Sequence, residues 1–221
     1  MNLLVLFFSV VFGIGIVYVL KPKQRFTQVL LSFSGAYLLA ITITHLLPEV
    51  FNSAKPKIGV FIILGLLIQL IMDYFSKGAE HGHIHHHEST FPVILFVSLF
   101  LHAFMEGIPF ANNEHPELLW AIVVHKIPIT IVLGSFLMYS KASFVKCILL
   151  LLLFAIMSPL GSIIGSNFQI IITYKTEITA IIIGIFLHIS TIIIFESTEN
   201  HKFNIAKFIA IIVGFGVALL V

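Results

Sequence analysis

The sequence has few charged residues and a single cysteine. Aspartate, glutamate, lysine and arginine make up 10% of the 221 residues, whereas 59% are hydrophobic, and the mean hydropathy is +1.10. This composition leaves too little polar surface to cover a water-soluble globule of this size. With Cys147 alone, an internal disulfide and a metal site built on several cysteines are both excluded. The chain is therefore expected to be an integral membrane protein in contact with a lipid bilayer.

The apolar residues fall into eight stretches, each about long enough to cross a hydrocarbon core of about 30 Å as a helix. These stretches lie at residues 2–20, 27–48, 58–75, 91–111, 118–139, 145–165, 177–197 and 204–221. The connections between them are short. The predicted fold is therefore all-α, a single polytopic membrane domain over residues 1–221 with eight transmembrane helices and no soluble domain.

The distribution of lysine and arginine predicts the orientation. No positive charge precedes the first stretch, and Lys21, Lys23 and Arg25 follow it, which is not the pattern of a signal peptide. With the N-terminus outside, the inside loops hold eight basic residues and the outside loops three, in accordance with the positive-inside rule. Both termini are thus predicted outside, in a plasma membrane or a bacterial inner membrane. The net charge of +2 gives no reason to expect a nucleic-acid partner.

A histidine-rich segment separates the third and fourth stretches. Residues 76–90, SKGAEHGHIHHHEST, contain five of the eleven histidines: His81, His83, His85, His86 and His87. Neutral imidazoles in a polar segment bind transition metals with modest affinity and little geometric selectivity. On the predicted topology this loop faces the cytoplasm, where it would capture or monitor metal; a solvated linker is the alternative.

Three ionisable side chains that can bind a metal lie within the fourth and fifth stretches: His102, Glu106 and His125. Charges at bilayer depth cost about 3 kcal/mol each on insertion scales and usually mark an ion or proton path. A spacing of four residues places His102 and Glu106 on one helix face. Two imidazoles and a carboxylate suit zinc and also tolerate iron, manganese or cadmium. The pattern predicts a metal site between helices four and five, although a buried, hydrogen-bonded residue is the better interpretation of either histidine alone.

Two further places in the sequence, a His–Glu pair and a single histidine, are candidates for a metal pathway. His45 and Glu49 repeat the same spacing near the end of the second stretch, with Pro48 between them. The predicted topology places them at the outer mouth and favours an entrance; an interfacial pair that finishes a helix is the alternative. His188 in the seventh stretch is a second candidate, with a satisfied core histidine as the alternative.

At these positions the chain resembles the ZIP (Zrt-, Irt-like protein) metal transporters. Four local matches carry the resemblance: THLLPE resembles an HLLPEA-type segment, HAFMEG an HNFxEG or HNFxDG segment, HKIPIT an HExPHE or HExPEG segment, and SPLGSIIG with GIFLHISTIIIFE the PLGxxxG and GxFLYxxxxxxxPE segments. The resemblance implies eight spans, uptake of a divalent metal, most simply zinc, into the cytoplasm by alternating access, and a central transport site at His102, Glu106 and His125. It also allows a homodimer.

The departures from the family pattern are equally informative. Ala103, Lys126 and Ser158 stand where family members with two metals carry ligands of a second, adjacent site, and Ile129 replaces a further histidine or glutamate. The hypothesis is a mononuclear centre in which the ammonium of Lys126 pairs with Glu106 and takes the electrostatic place of a second ion. The alternative is that Lys126 snorkels away from the site.

Two other classes of function remain as alternatives. A membrane-embedded zinc hydrolase would need an activated water and a general base, and the metalloprotease pattern HExxH does not occur. A metal sensor that does not transport would use the histidine-rich loop and an occluded core site. We expect no enzyme and no catalytic residue, and since the sequence holds no ATP-binding motif, any driving force is another gradient or that of the metal itself.

Overall fold

The computed structural model describes residues 2–53, 55–76, 93–112, 116–140, 142–195 and 204–221. All regular structure in these ranges is helical: α1 Asn2–Leu20, α2 Gln24–Asn52, α3 Ile58–Ser76, α4 Val93–Gly107, α5 Pro116–Tyr139, α6 Phe144–Asn167, α7 Lys175–Phe195 and α8 Ile205–Ala218. A 3₁₀ helix, Ile108–Asn112, continues α4, and a short helix, Gln169–Thr173, joins α6 to α7. The histidine-rich segment, including the five histidines of the predicted loop, lies outside the described residues.

Seven of the described helices, α1 to α7, are long and apolar enough to cross a membrane, when α4 is taken together with its 3₁₀ continuation as far as Phe110. Their aliphatic side chains cover much of the outer surface, as expected for helices that face lipid. The eighth helix, α8, has 14 residues, so it is shorter than the predicted stretch at 204–221. The all-α prediction is confirmed; eight complete spans and the outside location of both termini stay predictions.

Local sequence sets several helix ends. The side chain of Ser143 accepts a hydrogen bond from the backbone N–H of Lys146 at the start of α6. Asn204 similarly caps α8 by accepting from the N–H groups of Ala206 and Lys207. Pro116 opens α5, where its missing N–H costs no hydrogen bond. The caps at Ser143 and Asn204 satisfy backbone donors that have no partner within the helix.

The described helices pack as two groups. In the first, α1 packs against α5 and α6, and α4 packs against α6; in the second, α7 packs against α2 and α3, and α8 packs against α2. Contacts between α2 and α5 and between α3 and α4 join the groups. Glycine permits the close approach of α3 and α7, since a Cβ at Gly65 on α3 or at Gly184 on α7 would collide with the backbone of the other helix.

A π-helical turn, Thr42–Leu46, interrupts α2. In this turn the N–H of Leu47 donates to the carbonyl of Thr42, five residues earlier. Pro48 has no N–H to give to the carbonyl of Thr44, so the regular hydrogen-bond ladder cannot continue there. Single π turns are frequent at functional sites, and this one contains His45.

Candidate metal centre

Helix α4 carries His102 and Glu106, and its close packing on α6 fixes their position. Gly107 contacts the backbone of Ser158 so closely that a Cβ would collide with it, and Gly161 stands in the same relation to the backbone of Phe104. The buried hydroxyl of Ser158 donates a hydrogen bond to the carbonyl of Ala103. Three contacts thus clamp the turn of α4 on which the two candidate ligands lie.

The structure brings the three predicted ligands together in the core. His102 Nε2 is 2.8 Å from Glu106 Oε1, and His125 Nε2, on α5, is 3.8 Å from the same oxygen. All three side chains are at most 1% exposed. Ligand atoms that each lie about 2.0–2.2 Å from a tetrahedral zinc ion are about 3.4 Å apart, between these two distances. The arrangement could hold one such ion through Glu106 Oε1 after small side-chain movements.

Lys126 occupies the other side of Glu106. Its Nζ lies 2.9 Å from Glu106 Oε2, and its side chain is only 1% exposed. The same ammonium lies 5.0 Å from the centre of the Phe154 ring, a favourable cation–π distance. The structure therefore places Lys126 on Glu106, as the pairing hypothesis predicted, and not in the snorkelled position. The two carboxylate oxygens have different partners, imidazoles on Oε1 and an ammonium on Oε2.

The positions that depart from the family pattern offer few ligands. Ala103 and Ile129 are buried and carry no donor atom, and the hydroxyl of Ser158 is engaged with a backbone carbonyl. Among the residues that the structure describes, one group of three or more histidine, cysteine or acidic side chains could share an ion, and it consists of His102, Glu106 and His125.

The other predicted residues lie away from this group. His45 is half-buried in the π turn, its Nδ1 2.8 Å from the hydroxyl of Thr44, and Glu49 is exposed. His188 lies on α7, with its Nε2 4.0 Å from Asp73 Oδ2 on α3. The sequence analysis missed Asp73, although an aspartate inside an apolar helix of 19 residues was a visible signal. The roles of His45, Glu49 and His188 in a pathway stay predictions.

The five loop histidines remain untested. They all belong to the segment that the structure does not describe, so metal capture by His81, His83, His85, His86 and His87 also stays a prediction.

Comparison with known proteins identifies the family to which the chain is similar. The family model described as ZIP Zinc transporter matches residues 76–221, which include α4 to α8 and all three candidate ligands. The chain is 29% identical over 163 residues to Protein zntD of Dictyostelium discoideum, with 63% of this chain and 24% of that protein covered. It is 36% identical over 104 residues to Zinc transporter ZIP1 of Danio rerio, with 44% of this chain and 33% of that protein covered.

The matched regions are only parts of these relatives, since the chain spans about a quarter to a third of their lengths. The family model, however, matches more than half of this chain. Seven of the described helices are also apolar and long enough to cross a bilayer, as the composition predicted. The chain is therefore an integral membrane protein that belongs to the ZIP zinc transporter family.

Proposed function

We propose that the protein carries a divalent transition metal, in the first instance zinc, into the cytoplasm through a mononuclear site formed by His102, Glu106 and His125. The observation that carries this proposal is the buried cluster of two imidazoles and one carboxylate between α4 and α5. Family membership supports a metal as the substrate, and the name of the Danio rerio relative favours zinc. Iron, manganese and cadmium suit the same donors. No residue is proposed to be catalytic.

The ion pair between Lys126 and Glu106 supports a site for one metal ion rather than two. A carboxylate that bridges two metals offers one oxygen to each, whereas Oε2 of Glu106 is 2.9 Å from the ammonium of Lys126. That ammonium also repels a second cation at the same position. With Ala103 and Ile129 unable to ligate, the site offers three protein ligands, and water completes the coordination. Such a site binds more weakly than a complete cage, which suits an ion that must leave again.

The packing of the helices supports alternating access. All three ligands lie on α4 and α5, which belong to the first group of helices, while α2 and α3 of the second group pack against them. Movement of one group relative to the other would expose the ligands first to one side of the membrane and then to the other. Inward transport rests on the family resemblance.

Flux measurement tests the proposal directly. Zinc influx into proteoliposomes under a zinc gradient is compared between the intact chain and His102→Ala with Glu106→Ala. A matched control, His115→Ala with Glu117→Ala, also removes one imidazole and one carboxylate; Glu117 lies in the first turn of α5, two turns before His125. Flux that the first pair abolishes and the control retains supports the proposal. Bound zinc without flux in the intact chain would contradict transport and favour a sensor.

Zinc counting tests the mononuclear centre. Lys126→Asp replaces the ammonium with a second carboxylate beside Glu106, and the five loop histidines are changed to serine so that only core ions are counted. We expect equilibrium dialysis to find one bound zinc in the chain with Lys126 and two in the variant. The same count and the same flux in both would refute the role of Lys126.

A further inference from the structure

Phe154 lies in the buried core on α6, beside the charged end of Lys126. Its side chain is 1% exposed, and Nζ of Lys126 lies over its ring, 5.0 Å from the ring centre. Lysine is seldom buried to this extent, and a buried ammonium needs partners that replace the water it has lost. The structure supplies Glu106 Oε2, 2.9 Å away, and the face of the Phe154 ring.

The packing of α6 on α4 holds the Phe154 ring in place. Ser158, one turn later on the same face of α6, donates a hydrogen bond to the carbonyl of Ala103 on α4. The ring of Phe100, also on α4, packs against the Phe154 ring, with 6.4 Å between the ring centres and 32° between the planes. The helix that carries Glu106 thus also fixes the ring that faces the ammonium.

The two partners of the Lys126 ammonium respond differently to a metal ion. An ion on Glu106 Oε1 draws negative charge away from Oε2 and repels the ammonium, and both effects weaken the ion pair. The Phe154 ring carries no net charge and does not ligate the ion, so the negative face of its π system keeps its attraction for the ammonium. The contact between the ring and Lys126 therefore contributes more when the metal site is occupied than when it is empty.

We infer that Phe154 is a positioning residue for metal binding: its ring holds the Lys126 ammonium in the core while Glu106 carries the ion. Without the ring, the ion and the ammonium would share a single carboxylate, and metal binding would weaken. This role rests on the proposed function, in which zinc binds at Glu106. A residue with only a packing role would affect zinc binding to the same extent whether residue 126 is charged or neutral.

Zinc dissociation constants in a double-mutant cycle test the inference. Equilibrium dialysis compares Phe154 with Phe154→Leu, each in the presence of Lys126 and of Lys126→Met, in chains whose five loop histidines are changed to serine. With Lys126, we expect Phe154→Leu to weaken zinc binding about tenfold, or about 1.4 kcal/mol, which lies within the range of a desolvated cation–π contact. With Lys126→Met, the change should be less than about twofold.

The matched control is Phe136→Leu. It makes the same substitution at a half-buried ring nearer the end of α5, and it should leave the dissociation constant for zinc unchanged with Lys126 and with Lys126→Met. Equal weakening by Phe154→Leu in the two backgrounds would overturn the inference and reduce the ring to a packing role.

Fluorinated phenylalanines at position 154 separate charge from packing. Successive fluorine atoms remove negative charge from the ring face and hardly change the size of the ring, so this series stays informative where Phe154→Leu fails to fold. With Lys126, the dissociation constant for zinc should rise stepwise from the unmodified ring through the difluoro to the trifluoro ring. With Lys126→Met, it should stay constant. A constant value across the series with Lys126 would also overturn the inference.

These measurements distinguish the role of Phe154 from the proposed transport, because they follow zinc binding and not flux. A chain that shows the expected coupling between residues 154 and 126 but no zinc flux in proteoliposomes would contradict transport alone. A chain that binds and transports zinc but shows no such coupling would contradict the role of Phe154 alone.

Discussion

The ion pair between Lys126 and Glu106 gives a prediction whose size follows from the structure. At 2.9 Å and an effective dielectric constant of about 20, the attraction between the two charges is about 6 kcal/mol. Desolvation of both groups offsets part of this energy. Lys126→Met keeps an unbranched side chain and removes the charge, so Glu106 is left buried without its cation. We expect the free energy of unfolding without metal to fall by about 3–5 kcal/mol.

Metal should reverse part of this loss. A divalent ion on Oε1 would supply the positive charge that Lys126 no longer provides, and the repulsion between that ion and the ammonium would be gone. Zinc should therefore stabilise Lys126→Met more than the intact chain. Denaturant unfolding in detergent, with and without zinc, measures both effects. Lys207→Met removes another buried lysine, on α8, and should leave the zinc response unchanged.

A double-mutant cycle decides whether the pair itself is responsible. Glu106→Gln alone should also destabilise, since Lys126 is then the buried charge without a partner. The double variant should lose much less stability than the sum of the two single losses, because neither charge remains. Additive losses, or a Lys126→Met variant as stable as the intact chain, would refute the reasoning.

Three further predictions concern the site and its support. Zinc binding should weaken as the pH falls from about 7.5 to about 5.5, because protons compete for the imidazoles; a dissociation constant from equilibrium dialysis that stays constant with pH would contradict this. Gly161→Ala should lower the free energy of unfolding by about 1–3 kcal/mol because its Cβ would meet the backbone of α4, whereas Gly15→Ala, whose Cβ would meet no neighbouring helix within 4 Å, should not; equal melting temperatures would count against the clamp on α4. His45→Ala with Glu49→Ala should raise the KM for zinc flux while the central ion stays bound; an unchanged KM would exclude the entrance role.

The helices and the ligand trio were predictable because both depend on local properties of the chain. Apolar stretches of sufficient length form helices in lipid wherever they occur, since every backbone group must find a partner within the segment. The ends were less predictable: α2 extends beyond the predicted 27–48, to Gln24–Asn52, with a π turn that Pro48 explains only in retrospect. His102 and Glu106 share a face through helical spacing alone, so the sequence already placed them together.

What the sequence determined by itself was therefore a bundle of apolar helices with three candidate ligands on the fourth and fifth. The sequence left open whether Lys126 pairs with Glu106 or snorkels away from it, and it gave no partner for Asp73. The tertiary structure decided both, by placing Lys126 on Glu106 across α4 and α5 and Asp73 beside His188 across α3 and α7. The physical reason is that these pairs depend on how closely separate helices approach, which side-chain packing and glycine contacts set and which no local sequence pattern encodes.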